Sequence, residues 1–360
     1  MLLSRVAESV YWSGRYLERA EATARMLQTH TKLFVDLPKS AGLGWSPLLA
    51  ITGTGEAFVA QVGEPTEEAV VRFLAADPDN SGSVRASVAS ARGNVRIARV
   101  IFPESAWQVV NELHHFVNDT SIEAVTRRSR LSWTEAVVRQ CQLLAGLLNG
   151  VMTHDEGYSF LEIGRYIERA DMTTRVLQVQ SEILMTAPDA TSSPYSDVTW
   201  MGVLQSLSAR QMYRRAVCGG VSGPDALRFL LRDARFPRSV EHCLTGIARS
   251  LLELPRCQEP MAGCADVQAL LESVGADDVA VTDLGGHVED LQVGIAELHT
   301  RLADTYFASG PAPSLESVAQ KTVAAHRASP VSGSPPRGGR QAEVAAMATG
   351  PRTASHLLNR

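Results

Sequence analysis

Charged side chains recur at helical spacing in two segments of the sequence, and these are the residues best placed to do chemistry. The segment Gly14–Gln28 reappears as Gly164–Gln178, with ten of fifteen positions identical at an offset of 150 residues. A helix turns about 100° per residue, so the acids and several of the arginines of each copy lie along a stripe that borders the apolar face. The candidate polar site comprises Arg15, Glu18, Arg19, Glu21 and Arg25 in the first copy, and Arg165, Glu168, Arg169, Asp171 and Arg175 in the second.

Two interpretations of these charged residues stay open. In the first, they form a ladder of ion pairs that fixes how the two copies dock. In the second, they form a ligand site at a pseudo-twofold interface, where Glu18 and Glu168 face each other and the arginines grip a carboxylate or phosphate. Gly14 and Gly164 would permit close approach of another backbone under either interpretation.

The helical wheel also predicts which arginines pair with Glu18. Arg19 lies about 100° round the helix from Glu18. We therefore expect Arg15 and Arg25, which share the face of Glu18, to be its better partners.

Other kinds of chemistry find little support in the sequence. Helical di-iron proteins use two Glu-x-x-His motifs, and this chain has one, Glu112–His115. There is no Gly-x-Ser-x-Gly motif, which forms the nucleophile elbow of α/β-hydrolases. The segment Thr52–Glu56 has two glycines but lacks the Gly-Lys-Ser/Thr of a P-loop, so it is predicted to be a loop. We assign no catalytic residue, metal ligand or cofactor from the sequence.

The elements that carry these residues are predicted to be helices, because apolar residues recur with a helical period through most of the chain. A Ser-x-x-Glu capping box at Ser132–Glu135 is predicted to open one of them. Asp278–Thr282 is a weak candidate strand. The predicted helices cover Arg5–Leu33, Ser83–Val100, Glu104–Phe116, Ser132–Val151, Glu156–Leu184, Val203–Ala216, Ala226–Arg232, Pro237–Leu254 and Leu284–Tyr306.

The repeat predicts an all-α helical bundle built from two duplicated halves. Two weaker matches follow the first in the same order, Trp45 with Trp200 and Phe73 with Phe229, at offsets of 155 and 156. The two tryptophans are predicted to anchor the core. We expect a first half over residues 1–125, a second half over 126–307, and a disordered low-complexity tail over 308–360, where Pro, Gly and Ser recur without a core-forming period.

Composition limits the class of partner and the compartment. The chain carries a net charge of −5, and because six basic and two acidic residues follow position 307, the body carries −9. An acidic body argues against a nucleic-acid binder. No apolar run approaches the ~20 residues that span a bilayer, no secretory signal opens the chain, and the five cysteines form no C-x-x-C pair. These features predict a cytoplasmic protein without a membrane or nucleic-acid partner.

Three segments resemble the Alpha-E family, uncharacterised bacterial proteins named for an all-helical domain with a Glu-Arg motif. The segments are Ser4–Arg25, Gly157–Asp171 and Phe236–Val240, and the resemblance covers residues 1 to about 307. The eponymous pair falls on Glu18-Arg19 and, by the repeat, on Glu168-Arg169.

The resemblance implies a setting in which to look for function. Proteins of this family are encoded beside, or fused to, circularly permuted ATP-grasp proteins, often with a transglutaminase-like partner, which suggests peptide- or amide-bond synthesis. The family implies no catalytic residues, so we expect an accessory or co-catalytic partner of the ligase without activity of its own. Two alternatives stay open: an enzyme acting on peptide or amide bonds with Glu18 or Glu168 as acid or base, and a metal-binding helical bundle.

Overall fold

Helices make up the secondary structure of the described chain. The structure is a computed structural model that describes residues 2–37, 44–186, 196–217, 219–273 and 284–307, and within these ranges it contains no strand. The all-α prediction is therefore confirmed. The helices are α1 Ser4–Asp36, α2 Ser46–Ile51, α3 Gly55–Gln61, α4 Glu67–Ala75, α5 Val84–Ile97, α6 Glu104–Thr120, α7 Arg127–Val151, α8 Glu156–Thr186, α9 Ser196–Ser206, α10 Arg210–Ala216, α11 Gly223–Arg232, α12 Val240–Leu252, α13 Gln258–Ser273 and α14 Leu284–Tyr306, with a 3₁₀ turn at Ser121–Val125.

The long helices lie where the apolar period predicted them, and the exceptions have physical causes. The predicted capping box at Ser132 is wrong, because α7 begins five residues earlier and the Ser132 hydroxyl donates to the Ser129 carbonyl inside the helix. The early start is held by Arg130, a buried side chain that donates to the carbonyls of Ala124 and Val125. Arg130 Nη1 also donates to Glu67 Oε1 of α4 at 2.8 Å, so a tertiary contact overrides the local capping signal.

The segment predicted as one helix from Val203 to Ala216 is two helices. The chain leaves the helical conformation between α9 and α10, where Ser208 has a φ of 53°. Left-handed backbone is costly for a residue other than glycine, so tertiary packing must hold this break.

The short helices α2, α3 and α4 were not predicted, and the prediction also missed α13, which has 16 residues. The expected loop at Thr52–Glu56 is a turn only as far as Thr54, and α3 begins at Gly55. Helices of one or two turns have too few apolar positions to show a period, so the sequence gives little signal for them.

The helices α1 and α8 form the centre of the bundle and pack against each other. The helix α1 also packs on α5 and α7, and α8 packs on α12 and α14 in the same order. Trp45 and Trp200 are both buried, as predicted. This matched packing supports the predicted duplication, while common descent of the halves and their boundary near residue 125 stay predictions.

The described residues between 2 and 307 belong to one compact unit. The candidate strand Asp278–Thr282 and the predicted tail over 308–360 lie outside the described residues. Among the described helices, none combines the length and apolarity that a membrane span requires.

Candidate functional site

The two repeated helices cross where each carries the glycine of the motif. A Cβ atom at Gly14 would collide with the carbonyl oxygen of Leu161 on α8, and a Cβ atom at Gly164 would collide with the carbonyl oxygen of Tyr11 on α1. The contact is reciprocal at the repeat offset. The backbones of α1 and α8 are therefore in direct contact, and we call this line of contact the seam. Candidate polar residues of both copies lie along it.

At this seam each motif glutamate is ion-paired to arginines of the opposite helix. The Glu168 carboxylate accepts hydrogen bonds from Arg15 Nε at 2.8 Å and from Arg19 Nε and Nη2 at 2.6 and 3.0 Å. On the other side, Arg169 Nε lies 3.0 Å from Glu18 Oε2 and Arg165 Nε lies 4.0 Å from it. The side chains of Glu168 and Glu18 are 0% and 3% exposed.

This arrangement corrects the pairing predicted from the helical wheel. Arg15 and Arg25 were the expected partners of Glu18, but Arg15 pairs with Glu168 of α8 and Arg25 hydrogen-bonds Glu21 of its own helix. The wheel compares positions within one helix, whereas the partners lie across a crossing. For that reason Arg19, which the helical wheel places on a different face from Glu18, contacts Glu168 on α8.

Glu18 has a further partner that the sequence did not assign to the site. Arg238, in the turn before α12, donates to Glu18 Oε1 and also to Glu21 Oε1, the latter at 3.2 Å. The turn is held to α8 because the Thr173 hydroxyl donates to the Arg238 carbonyl. Arg238 belongs to Phe236–Val240, a segment already singled out by the resemblance, and that was the available signal.

The remaining acids of the site each have an arginine partner on their own helix. Glu21 accepts from Arg25, and Asp171 accepts from Arg175 Nε at 2.9 and 3.0 Å. Gln142 of α7 also donates to Glu21 Oε1 at 3.3 Å. Eight of the ten predicted residues thus belong to the ion pairs at the seam, whereas Asp171 and Arg175 pair with each other and Arg175 lies against Gly53.

The glycine, tyrosine, glutamate and both arginines of the repeated Gly-Arg-Tyr-x-Glu-Arg-Ala each have a place in this geometry. The glycine permits the backbone contact, and the two arginines reach the opposite glutamate. The tyrosine lies under the second arginine: the guanidinium of Arg19 is 5.5 Å from the Tyr16 ring centre, and that of Arg169 is 6.0 Å from Tyr166. Cation–π contacts of this kind stabilise a desolvated arginine.

The electrostatics keep both glutamates ionised. Burial by itself raises the pKa of Glu168, but the charges and hydrogen bonds of Arg19 and Arg15 outweigh it and bring the pKa to about 2. Burial acts the same way on Glu18, and the charges of Arg169, Arg238 and Arg165 hold its pKa well below the ordinary value. Neither carboxyl is poised to give up a proton near neutral pH.

The two sides of the seam are not identical. Arg165 donates to Glu162 Oε1 at 2.5 Å and lies at the long distance of 4.0 Å from Glu18, whereas Arg15 contacts Glu168 directly. A cavity of about 20 Å³ opens beside Glu18 and is lined in part by Cys141 and Arg165. Such a volume accommodates about one water molecule, so it offers no room for an organic ligand.

Nucleophilic chemistry has no activated group at the seam. Burial raises the pKa of Cys141 well above its ordinary value, and that of Cys243 to about 12, so both remain thiols. Glu112 and His115 are exposed on α6. Over the described ranges, no three His, Cys, Asp or Glu side chains are grouped at metal-binding spacing.

Comparison with known proteins places this chain among relatives without an assigned activity. The Alpha-E family model, a predicted alpha-helical domain with a conserved ER motif, matches residues 2–307. An uncharacterized protein of Mycobacterium bovis is 29% identical over 273 residues, and uncharacterized proteins from two strains of Mycobacterium tuberculosis are 29% and 28% identical over the same length. Each match covers 70% of this chain and 30% of the relative, so the chain spans about a third of the length of these relatives. No solved structure matches.

Proposed function

The chain belongs to the Alpha-E family, and from this premise we propose that it is a non-catalytic helical partner of an ATP-grasp amide or peptide ligase. The observation that carries the proposal is that the charged groups at the seam are buried and paired with one another. Both motif glutamates are ionised, buried and ion-paired to arginines of the opposite helix. The motif thus supports the fold, and the ligation chemistry belongs to another polypeptide.

The alternative of a stand-alone enzyme would need one motif glutamate to act as acid or base. A general acid near neutral pH needs a raised pKa, and a carboxylate with a pKa of about 2 is also a weak base. The seam therefore favours the partner role over this alternative. The metal-binding alternative has no specific observation in its favour.

A non-catalytic partner needs an exposed surface for docking, and α7 offers one. The α7 stripe consists of Leu143, Gly146, Leu147, Gly150 and Val151, spaced three and four residues apart along one face. Leu143 is 58% and Val151 62% exposed, and a Cβ atom at either glycine would meet nothing within 4 Å. Such a face fits an apolar helix or groove of a protein partner.

A comparison within the molecule supports this use of the α7 stripe. The helix α14 packs on α8 as α7 packs on α1. Its exposed face carries the polar residues Glu297, Thr300 and Asp304, and Val293, at 53% exposed, is a single large apolar side chain there rather than part of a stripe. An exposed apolar stripe is therefore not a general requirement of this helix position.

The length of the relatives also supports a role within an assembly. Most of each mycobacterial relative lies outside the match, so in those proteins this domain is one part of a longer chain. We extend the proposal to a transglutaminase-like protein as a second partner, on the resemblance alone.

We place this assembly in the cytoplasm, without nucleic acid or membrane as a partner. The four cysteines in the described ranges are Cys141, Cys243, Cys257 and Cys264, and all are unpaired. Unpaired thiols are typical of a reducing compartment.

The test is co-purification of the full chain with an ATP-grasp protein from the same genome, followed by ATP-dependent ligation with and without the chain. We expect a stable complex and a ligation rate that depends on this chain. Leu143→Glu should abolish both, because it places a charge in the apolar stripe. Leu252→Glu is the matched control, since Leu252 is 70% exposed on α12, and it should change neither.

The outcomes separate the alternatives. Ligation that is unchanged by the chain, together with no complex, would remove the proposal. Peptide or amide turnover by the chain alone would favour the stand-alone enzyme.

A further inference from the structure

A second feature of the molecule, separate from the seam, has the dimensions of a ligand site. A cavity of about 730 Å³ lies between the last turns of α1, the start of α7 and the connection from α9 to α10. None of the ten candidate residues of the two repeated helices lines it. Cavities of this volume hold small organic molecules.

The walls of the cavity are more basic than the protein as a whole. Lys32, Arg127 and Arg210 line it, against Asp36 and Glu67. This excess of one positive charge stands in a body whose net charge is −9. A cationic concavity on an acidic protein attracts anions.

The negative charge of the Glu67 carboxylate is already balanced by arginines in the cavity wall. It accepts a hydrogen bond from Arg130 Nη1 at 2.8 Å, and it accepts two from Arg127. Arg130 is 1% exposed and adds a further positive charge behind the lining. The wall therefore presents more positive charge than its lining residues alone suggest.

The rest of the lining is suited to the body of an organic anion. Phe34, Trp45 and Leu131 supply apolar surface, and the guanidinium groups of Arg127 and Arg130 lie 5.5 and 5.2 Å from the Phe34 and Trp45 ring centres. Three glutamines, Gln28, Gln205 and Gln211, also line the cavity. A side-chain amide both donates and accepts, which matches the pattern of a peptide group.

Strained backbone and unsatisfied polar atoms occur at the same wall of the cavity. Ser208, in the lining, has left-handed backbone with a φ of 53°. The indole Nε1 of Trp45 and Nε2 of the neighbouring His30 are buried and find no hydrogen-bond partner in the described part of the chain. Strain and unsatisfied polar atoms in native proteins often mark functional sites.

We propose that this cavity binds a small carboxylate that also carries amide groups, of which the C-terminal end of a short peptide is the simplest example. The basic side chains take the carboxylate, the glutamines pair with the amides, and the aromatic rings cover the carbon skeleton. The cavity does not depend on the proposed ligase partnership, and the two can fail separately.

The test measures binding to the purified full chain by ligand-observed NMR. One probe is a set of acetylated dipeptides with free carboxyl ends, a second is the same set with amidated ends, and a third is inorganic phosphate. We expect the free carboxylates to bind about tenfold more tightly than the amides, the usual value of a charge-assisted hydrogen bond. Phosphate should bind weakly, because it leaves the apolar wall uncovered.

Two variants link binding to the cavity. Arg210→Gln and Lys32→Gln should each weaken binding of the carboxylate set several-fold, and both positions are exposed, so the fold should persist. Arg128→Gln is the matched control, since Arg128 is exposed on α7 beside Arg127 but does not line the cavity.

The proposal is overturned if carboxylate and amide probes bind equally, if neither binds, or if phosphate alone binds. It is also overturned if both cavity variants bind as tightly as the Arg128 control. Selective carboxylate binding that is lost in the cavity variants supports it.

Discussion

A carboxylate removed from water must be compensated inside the protein, and Glu168 shows how the repeated motif does so. Its side chain is fully buried, and three N–H groups from Arg15 and Arg19 surround its two oxygens. The attraction between buried charges offsets their desolvation only when the geometry is good. Removing one partner is therefore far more costly than the net value of the pair.

Replacement of Glu168 by glutamine should consequently destabilise the fold. Glu168→Gln leaves two arginines with side chains only 10% and 13% exposed without a counter-charge, and we expect a loss of roughly 3 kcal/mol in the free energy of unfolding. Chemical denaturation followed by circular dichroism measures it. The control is Glu68→Gln, whose partner Arg72 is 52% exposed, and which should change stability by less than about 0.5 kcal/mol. Equal stability of both variants with the parent would mean that the seam contributes nothing to the fold.

At the scale of the elements, the decisive feature is how closely α1 and α8 approach. Gly14 and Gly164 each lie against a carbonyl oxygen of the other helix, and this contact determines which arginines reach which glutamate. Glycine within a helix costs about 1 kcal/mol relative to alanine. The seam therefore requires a residue that is locally unfavourable.

Replacing a helical glycine by alanine usually stabilises a protein, but at these two positions it should destabilise it. Gly14→Ala gains about 1 kcal/mol of helix propensity but must push the Leu161 carbonyl away, and we expect a net loss of about 1–3 kcal/mol from overpacking. Gly93→Ala in α5 is the matched control, because its Cβ atom would meet nothing within 4 Å, and it should stabilise the protein. Thermal melts of the two variants report opposite shifts. A melting temperature raised by Gly14→Ala would show that the crossing is looser than described.

What the sequence predicts about these elements depends on the range of the interaction. The long helices α1 and α8 and the charged stripe that each carries were predictable, because a period of 3.6 and a near-identical repeat are local signals. The partners of Glu18 were not, because Arg169 reaches it from the crossing helix α8 and Arg238 from the turn before α12, and no local pattern encodes either approach. Likewise, Ser132 carries a convincing cap signal that the burial of Arg130 overrides. The cavity was not predicted, since its lining comes from segments almost 200 residues apart.

At the scale of the whole molecule, buried ionisable groups make stability depend on pH. Burial is the main cause that lowers the pKa of His30 to about 4 and of His299 to about 3. Arg15 and Arg19 also lower the pKa of His299, while Glu168 raises it. The Tyr11 hydroxyl lies 2.8 Å from Nδ1 of His299, so a neutral ring can accept a hydrogen bond from it. Both histidines are therefore neutral in the folded protein over a range where they are charged in the unfolded chain.

The sign of the pH dependence follows from linkage. Below the ordinary histidine pKa of about 6.5 the unfolded chain binds protons that the folded protein does not, so stability falls as pH decreases. The motif glutamates have lowered pKa values, and their contribution is lost only below about pH 4.5, as pH falls toward 2. Between pH 6.5 and 5 the loss should therefore come mainly from the histidines, at no more than about 1.4 kcal/mol per pH unit for each.

Replacing one histidine should flatten this dependence. His299→Gln removes one titrating ring while its amide can still accept from Tyr11, so the difference in unfolding free energy between pH 7.5 and pH 5 should shrink by about 1–2 kcal/mol. Guanidinium titrations at the two pH values measure the difference. His154→Gln is the control, because His154 is exposed, and it should leave the difference unchanged. An undiminished difference in His299→Gln would mean that the folded protein tolerates a charged imidazole beside Arg15, and the acid sensitivity would then have to come from other groups.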